Sequence, residues 1–229
     1  MTTEVRLPNE KEMEYLRTVP TGWVRDACKK IGIGGNVLNG PLPVRPFGFG
    51  KKHLAAPVRT IQLLPRRGTG LKAYNFYTEV APNSKPGEVF VFAGNALPGW
   101  LGGENMVHQS MQYGAVGWVT DMRMRDVSEI REMDFPVLCM GGLATPETFS
   151  KEIVMVNVPV YIAGAQVRAG DIIVADDDGA VVIPIEAFER ALVNIRDMET
   201  KETLQERLIA TKAPMEELRA CLRSKSVAV

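Results

Sequence analysis

Two short apolar runs, Gly87–Gly94 (GEVFVFAG) and Ala115–Thr120 (AVGWVT), flank a single helical stretch, and no other feature narrows the fold as far. The first run closes on glycine. The loop Asn95–Gly103 follows, and Glu104 to about Tyr113 reads as a helix leading straight into the second run. Runs this short, rich in β-branched and aromatic residues, read as buried strands. A strand, a helix and a strand in direct succession form a βαβ crossover, which requires a parallel pair and so an α/β domain. In such a unit the ligand crevice lies beyond the carboxyl ends of the strands. Gly102-Gly103-Glu104 and the loop Asp121–Asp126 both follow strands, which places them on one rim.

The remaining sequence extends this frame. Pro20-Thr21-Gly22 opens a short helix through Trp23, Ala27 and Cys28, which Gly32 and Gly34-Gly35 end. HLAAPVRTIQLLP, ending at Pro65, reads as a strand, and the segments Phe135–Gly142, Val156–Val167 and Arg168–Pro184 read as all-β. Within the last, IIVA and AVVI flank Asp176-Asp177-Asp178-Gly179, a hairpin signal of Asp-Gly type. The three aspartates lack the twelve-residue spacing and terminal Glu of an EF-hand, which favours a turn over a calcium loop. From Ile185 the pattern is helical, with Phe188, Leu192 and Ile195 on one face, and Pro214 opens a last helix through Leu218 and Cys221. The apolar stripe between Phe188 and Leu208 is either buried by the domain itself or presented to a partner.

Twenty-seven basic residues balance twenty-seven acidic ones, which disfavours nucleic acid and gives no attraction to a membrane surface. The three cysteines are scattered and form no CxxC pair, so neither a disulfide framework nor a zinc centre is expected. The charged start MTTEVRLPNEKEMEYL lacks the apolar run of a signal peptide, and no apolar stretch is long enough to cross a bilayer. A cytoplasmic location is expected.

The chemistry sits on the common rim. Gly103-Glu104-Asn105 and, after twenty residues between Glu104 and Arg125, Arg125-Asp126 combine two carboxylates with a guanidinium. A carboxylate holds a hard divalent cation, a second orients a water, and a guanidinium neutralises a developing enolate oxygen. Glycines at 102 and 103 let the backbone turn tightly into the helix, leaving the amides of Asn105 and Met106 at its N-terminus for a substrate carboxylate. The plainer alternative makes Glu104 a first-turn acid favoured by the helix dipole. Arg123 either adds a second contact to an anionic substrate or faces solvent. His108 reads as a helix-surface residue, His53 has less to recommend it still, and Met106, Met111, Met122 and Met124 read as packing.

The segments VTDMRMRD, DFPVLCMGG and VNVPVYIAGAQVRAGDIIVADDDGAVVIP, with the upstream GGE, together resemble the RraA-like family. That group contains the 4-hydroxy-4-methyl-2-oxoglutarate and 4-carboxy-4-hydroxy-2-oxoadipate aldolases and the regulators of ribonuclease activity A. The likeness covers Pro20 to Pro184. It implies a layered β/β/α swivelling-type domain with mixed sheets over residues 1–185, and a helical C-terminal extension over 186–229 packed on the domain or on a neighbouring subunit. It also implies that Asp126 binds Mg2+ or Mn2+, that Arg125 holds the keto oxygen, and that Glu104 stands in the outer shell, with Gly103, Asn105 and Met106 lining the substrate site. The implied activity is metal-dependent cleavage of a 4-hydroxy-2-oxo acid to pyruvate and a second 2-oxo acid, with oxaloacetate decarboxylation at the same site. A homotrimer or a pair of stacked trimers is implied as well. A non-catalytic regulator that binds an RNA-processing enzyme is the rival within the same family. The chain departs from the family pattern at Asp121-Met122, where glycine is common at the second position, and at Tyr74-Asn75 and Gly103-Glu104-Asn105.

Overall fold

The computed structural model describes residues 6–48, 53–66, 73–144 and 151–225. Helices α1 (Glu10–Leu16) and α2 (Thr21–Lys30) lead into the short strands β1 (Val37–Leu38) and β2 (Leu42–Pro43) and the long strand β3 (Leu54–Pro65). A π-helical turn, Phe76–Val80, precedes β4 (Val89–Ala93), α3 (Glu104–Gln112), β5 (Gly117–Thr120), α4 (Val127–Glu132) and β6 (Val137–Cys139). Strands β7 (Lys151–Val156), β8 (Val160–Ile162), β9 (Ala165–Val167), β10 (Ile172–Asp176) and β11 (Gly179–Ile183) follow, then helices α5 (Phe188–Ala210) and α6 (Met215–Lys225).

Nine strands form one mixed sheet in the order β1-β11-β10-β3-β4-β5-β6-β2, with β7 joined to β3. The run β3-β4-β5-β6 is parallel, as the βαβ pattern requires, and the other pairings are antiparallel. In the hairpin, Asp176 lies opposite Gly179, so Asp177-Asp178 is the turn.

The strands read as apolar throughout because both faces of the sheet are covered. Leu54, Ala56 and Val58 of β3, with Val89 and Val91 of β4, face the β8–β9 hairpin. Their alternates Ile61, Phe90, Phe92 and Trp118 pack under α3, α4 and the π-turn. Further along that helical face, Ala55, Ile172, Val174, Val181 and Ile183 meet α1, α2 and α5. The layers are thus hairpin, sheet and helices, the β/β/α order expected. Phe188, Ala191, Leu192, Ile195 and Met198 are buried in the same chain, so the domain itself takes up that part of the α5 stripe. Helix α4 has six residues, too few to carry a helical period, and none was expected there. No helix among the described residues is long and apolar enough to cross a membrane, and Cys28, Cys139 and Cys221 are free and buried.

Candidate active site

The parallel strands β4, β5 and β6 all end on one side, and the segments leaving them build the site. Asp121, directly after β5, is 6% exposed. Its carboxylate accepts the Gly94 amide at 2.7 Å and is also bonded by the amides of Asn95 and Ala96. Both of those residues are left-handed, at φ 51° and 54°. Burial pushes the Asp121 carboxyl up, and the ring of backbone amides opposes that shift. The loop between β4 and α3 is thereby anchored to the end of β5. Asp121→Ala, which leaves the buried Gly94 amide without its acceptor, should cost about 1–3 kcal/mol in urea unfolding; an unchanged midpoint would show that the clamp contributes nothing.

Met122 occupies the position where the family resemblance leads to an expectation of glycine, and its backbone is outside the left-handed region. The side chain is 1% exposed and fills the space over Gly94, where a β-carbon would lie 2.5 Å from its Sδ. The substitution is therefore accommodated by packing, with no backbone strain.

Residues 122–125 then run between two flanking segments. Leu101 N donates to Arg123 O at 2.7 Å and Arg125 N to Gly102 O at 3.0 Å, while Met140 N and Met124 N bond Met122 O and Gly141 O, each at 2.9 Å. Extended backbone alternates its side chains, so Met122 and Met124 are buried, and Arg123 and Arg125 are exposed on one side. Their guanidinium groups diverge. Arg123 Nη1 lies beside Gly142 O at 3.5 Å, whereas Arg125 Cζ sits 4.4 Å from the centroid of the Trp100 ring.

Asp126 turns the chain into α4 from a left-handed conformation, φ 56° and ψ 38°. Asp is one of the few L residues that adopts it readily. The carboxylate consequently folds back over the start of α3, with Oδ2 3.3 Å from Glu104 N and 3.3 Å from Arg125 Nε. Gly103 is required there for space: its backbone is extended, but an added β-carbon would lie 2.0 Å from Asp126 Oδ2 and 2.9 Å from Arg125 Nε. An open cleft of ≈ 650 Å³ adjoins the pair, lined by Met124, Arg125, Asp126, Val127, Ser128, Glu129, Gly142, Leu143 and Ala144.

Gly103, the Glu104 amide, Arg125 and Asp126 thus converge across a gap of more than twenty residues. The Met106 amide is arranged differently from expectation. Asn105 is exposed, Met106 packs against the core, and the Met106 amide donates to Gly103 O at 3.1 Å, so that amide is already engaged by the chain. His108 is exposed on α3, and His53 points Nδ1 at Val19 O at 3.1 Å, a structural contact. In the aspartate triplet, Asp176 caps α2 through Thr21 N and Oγ1, each at 2.8 Å, and Asp177 accepts the amides of Phe47 and Gly48. Trp100 and Asp121 were not singled out from sequence, since an aromatic in a loop and an acid after a strand are both commonplace.

Among the described residues, no group of three or more His, Cys, Asp or Glu side chains is placed to hold a metal. The donor set at Asp126 fits a hard divalent cation of the magnesium type, which takes one or two carboxylates and completes its shell from water and substrate. The cradle that the missing Gly103 side chain leaves around Asp126 Oδ2 and the open cleft beside it suit that mode of binding.

Comparison with known proteins identifies the family. Residues 21–182 match the RraA-like family, described as Aldolase/RraA. The 4-hydroxy-4-methyl-2-oxoglutarate aldolase of Thermus thermophilus is 30% identical over 146 residues, 63% of this chain and 83% of that protein. Protein DlpA of Legionella pneumophila is 26% identical over 196 residues, 86% of this chain but 31% of the relative, so the chain spans about a third of DlpA's length. The crystal structure of Streptomyces coelicolor RraAS2, described as an unusual member of the RNase ES inhibitor RraA family, superposes with a TM-score of 0.77 at 27% identity, covering 87% of this chain and 98% of that one. With its layered fold and its matched residues 21–182, the chain belongs to the RraA-like family of aldolases and ribonuclease regulators.

Proposed function

We propose that the chain is a divalent-metal-dependent aldolase. It cleaves a 4-hydroxy-2-oxo di- or tricarboxylic acid, of the 4-hydroxy-4-methyl-2-oxoglutarate or 4-carboxy-4-hydroxy-2-oxoadipate type, to pyruvate and a second 2-oxo acid, and decarboxylates oxaloacetate at the same site. The observation that carries this reading is the convergence of Gly103, Arg125 and Asp126, with the start of α3, beside an open cleft. A pure interaction surface has no physical need for that arrangement.

Asp126 is the residue that would hold Mg2+ or Mn2+, and Glu104, at the first position of α3, would order water in the outer shell. A divalent cation, when bound, supplies Lewis-acid polarisation of the 2-oxo group. Arg125 donates to the keto oxygen and strengthens its hold as that oxygen takes on enolate charge. In cleavage, a base removes the proton of the C4 hydroxyl, the C3–C4 bonding pair passes into the pyruvate enolate, and C4 leaves as the carbonyl carbon of the second product. The enolate then takes a proton at C3. With oxaloacetate the C4 carboxylate departs as carbon dioxide and the same enolate forms. The Arg125 guanidinium and the exposed rim suit an anionic substrate.

The test is a coupled pyruvate assay over a panel of 4-hydroxy-2-oxo acids and oxaloacetate, with magnesium and with a chelator. Metal-dependent pyruvate release is expected. Its absence across the panel, together with inhibition of a ribonuclease, would select the regulator reading, which the likeness to RraAS2 favours. Arg125→Lys keeps the charge but loses the planar fork, so turnover should fall on the order of a hundredfold; wild-type turnover would make Arg125 a mere rim residue. The same reading includes a ring-shaped trimer, or two stacked, with a neighbouring subunit closing the open cleft. Light scattering with activity on dilution should then show dissociation and loss of turnover together, whereas a fully active monomer contradicts it.

A further inference from the structure

Arg125 is a long side chain, 49% exposed, and an arginine that open to solvent samples many rotamers unless something holds it. Two contacts do. Its Nε faces Asp126 Oδ2 at 3.3 Å, and its guanidinium carbon lies 4.4 Å from the Trp100 ring centroid. Lys151 Nζ, from the start of β7, lies 4.9 Å from the same ring, so one indole gathers two cations at the rim of the site. Trp100 is itself held: its backbone bridges in parallel to Arg123, and the adjacent Leu101 amide donates to Arg123 O at 2.7 Å. The ring that carries the guanidinium is therefore fixed to the strand extension that carries Arg125.

We infer that Trp100 is a positioning residue for Arg125: its indole face holds the guanidinium in the one orientation that presents it to an anionic substrate at Asp126. An aromatic face attracts a cation through its quadrupole, and a planar guanidinium stacked on it is confined to rotation within that plane. The inference rests on the proposed role of Arg125 at the substrate. It goes beyond it in assigning to Trp100 a function that acts only through that guanidinium.

The contact can be read without turnover. Trp23 and Trp118 also emit, but only Trp100 has the Arg125 guanidinium over its ring. Arg125→Ala should therefore change the emission of the protein, and the same substitution should change nothing in a Trp100→Phe background. An identical change in both backgrounds overturns the contact. Kinetics then test its purpose. Trp100→Leu should lower kcat about tenfold, the size of a partly desolvated cation–π contact, with a smaller change in KM, and Trp100→Phe should recover most of it. Arg125→Ala with Trp100→Leu should be no slower than Arg125→Ala alone, because an effect exerted through Arg125 vanishes with it. A further tenfold loss in the double variant would make Trp100 a purely structural residue and overturn the proposal. Unaltered turnover in Trp100→Leu would do the same. If Arg125→Ala alone turned over like wild type, the substrate role of Arg125 would fall, and that result is distinct from either outcome at Trp100.

Discussion

Asp126→Asn should reduce metal-dependent pyruvate formation to background while the protein stays folded. The reason lies in how little else the carboxylate does. Its contacts to Glu104 N and Arg125 Nε are both long, 3.3 Å, and the side chain is 35% exposed, so their loss should cost little stability. Asn also adopts the left-handed backbone at φ 56° more readily than Ala, and so the amide variant isolates the lost charge from backbone strain. Asp126→Gly serves as a second control, since glycine accepts the same conformation. Calorimetric titration with Mg2+ should show binding in the wild type and none in either variant. Substantial metal-dependent turnover in Asp126→Asn would remove Asp126 from the proposed ligand set.

Gly103→Ala is expected to cost about a thousandfold in turnover, although the methyl touches no substrate. Gly103 has ordinary extended backbone, so alanine imposes no conformational strain. Its β-carbon, however, would meet Asp126 Oδ2 at 2.0 Å and Arg125 Nε at 2.9 Å. Ordinary contact requires the carboxylate to move by more than an ångström. Asp126 is short, so the motion is taken up by rotating the carboxylate away from the start of α3 and pushing the Arg125 guanidinium with it. A misplacement of about 1 Å in one reacting group costs on the order of a hundredfold, and here two groups move together. Circular dichroism and melting temperature should stay near those of the wild type, while magnesium affinity and turnover fall together. Near-normal kinetics in Gly103→Ala would mean that the compact arrangement of Gly103, Arg125 and Asp126 is not the working one.

The parallel centre of the sheet was legible in the chain itself, whereas the β/β/α layer order came from the family resemblance. The runs GEVFVFAG and AVGWVT around one helix dictated a parallel pair, and the structure contains it as β4 and β5. The β10–β11 hairpin, though turning at Asp177-Asp178 rather than Asp178-Gly179, the helix after Pro20 and the final helix after Pro214 were legible for the same reason: turn chemistry and period are local properties, set by neighbours within a few residues. The bringing together of Glu104 with Arg125 and Asp126 on one rim followed from strand direction alone, because two parallel strands end on the same side.

Contacts between segments were not legible. Whether the α5 stripe was buried at home or offered to a partner depended on α2, β10 and β11 lying opposite it, which no local pattern specifies. The Met106 amide was read as available because a helix start leaves its first amides unpaired, yet the turn at Gly103 supplies it with a carbonyl. Met122 stands where the family resemblance implies glycine, and only the tertiary structure shows its side chain fitting over Gly94 with the backbone outside the left-handed region.

The sequence by itself determined the principal strands and helices, the parallel direction of β4 and β5 and the rim on which the charged residues lie. Periodicity, turn residues and the handedness of crossovers are properties of the chain. Tertiary structure alone decided the detail of the candidate site: Asp121 clamping the loop to β5, Trp100 under the Arg125 guanidinium, and the empty side of Gly103 that admits the Asp126 carboxylate. Each is a contact of a few ångströms between residues far apart in sequence, set by how the segments pack, and packing distance leaves no mark on local sequence pattern.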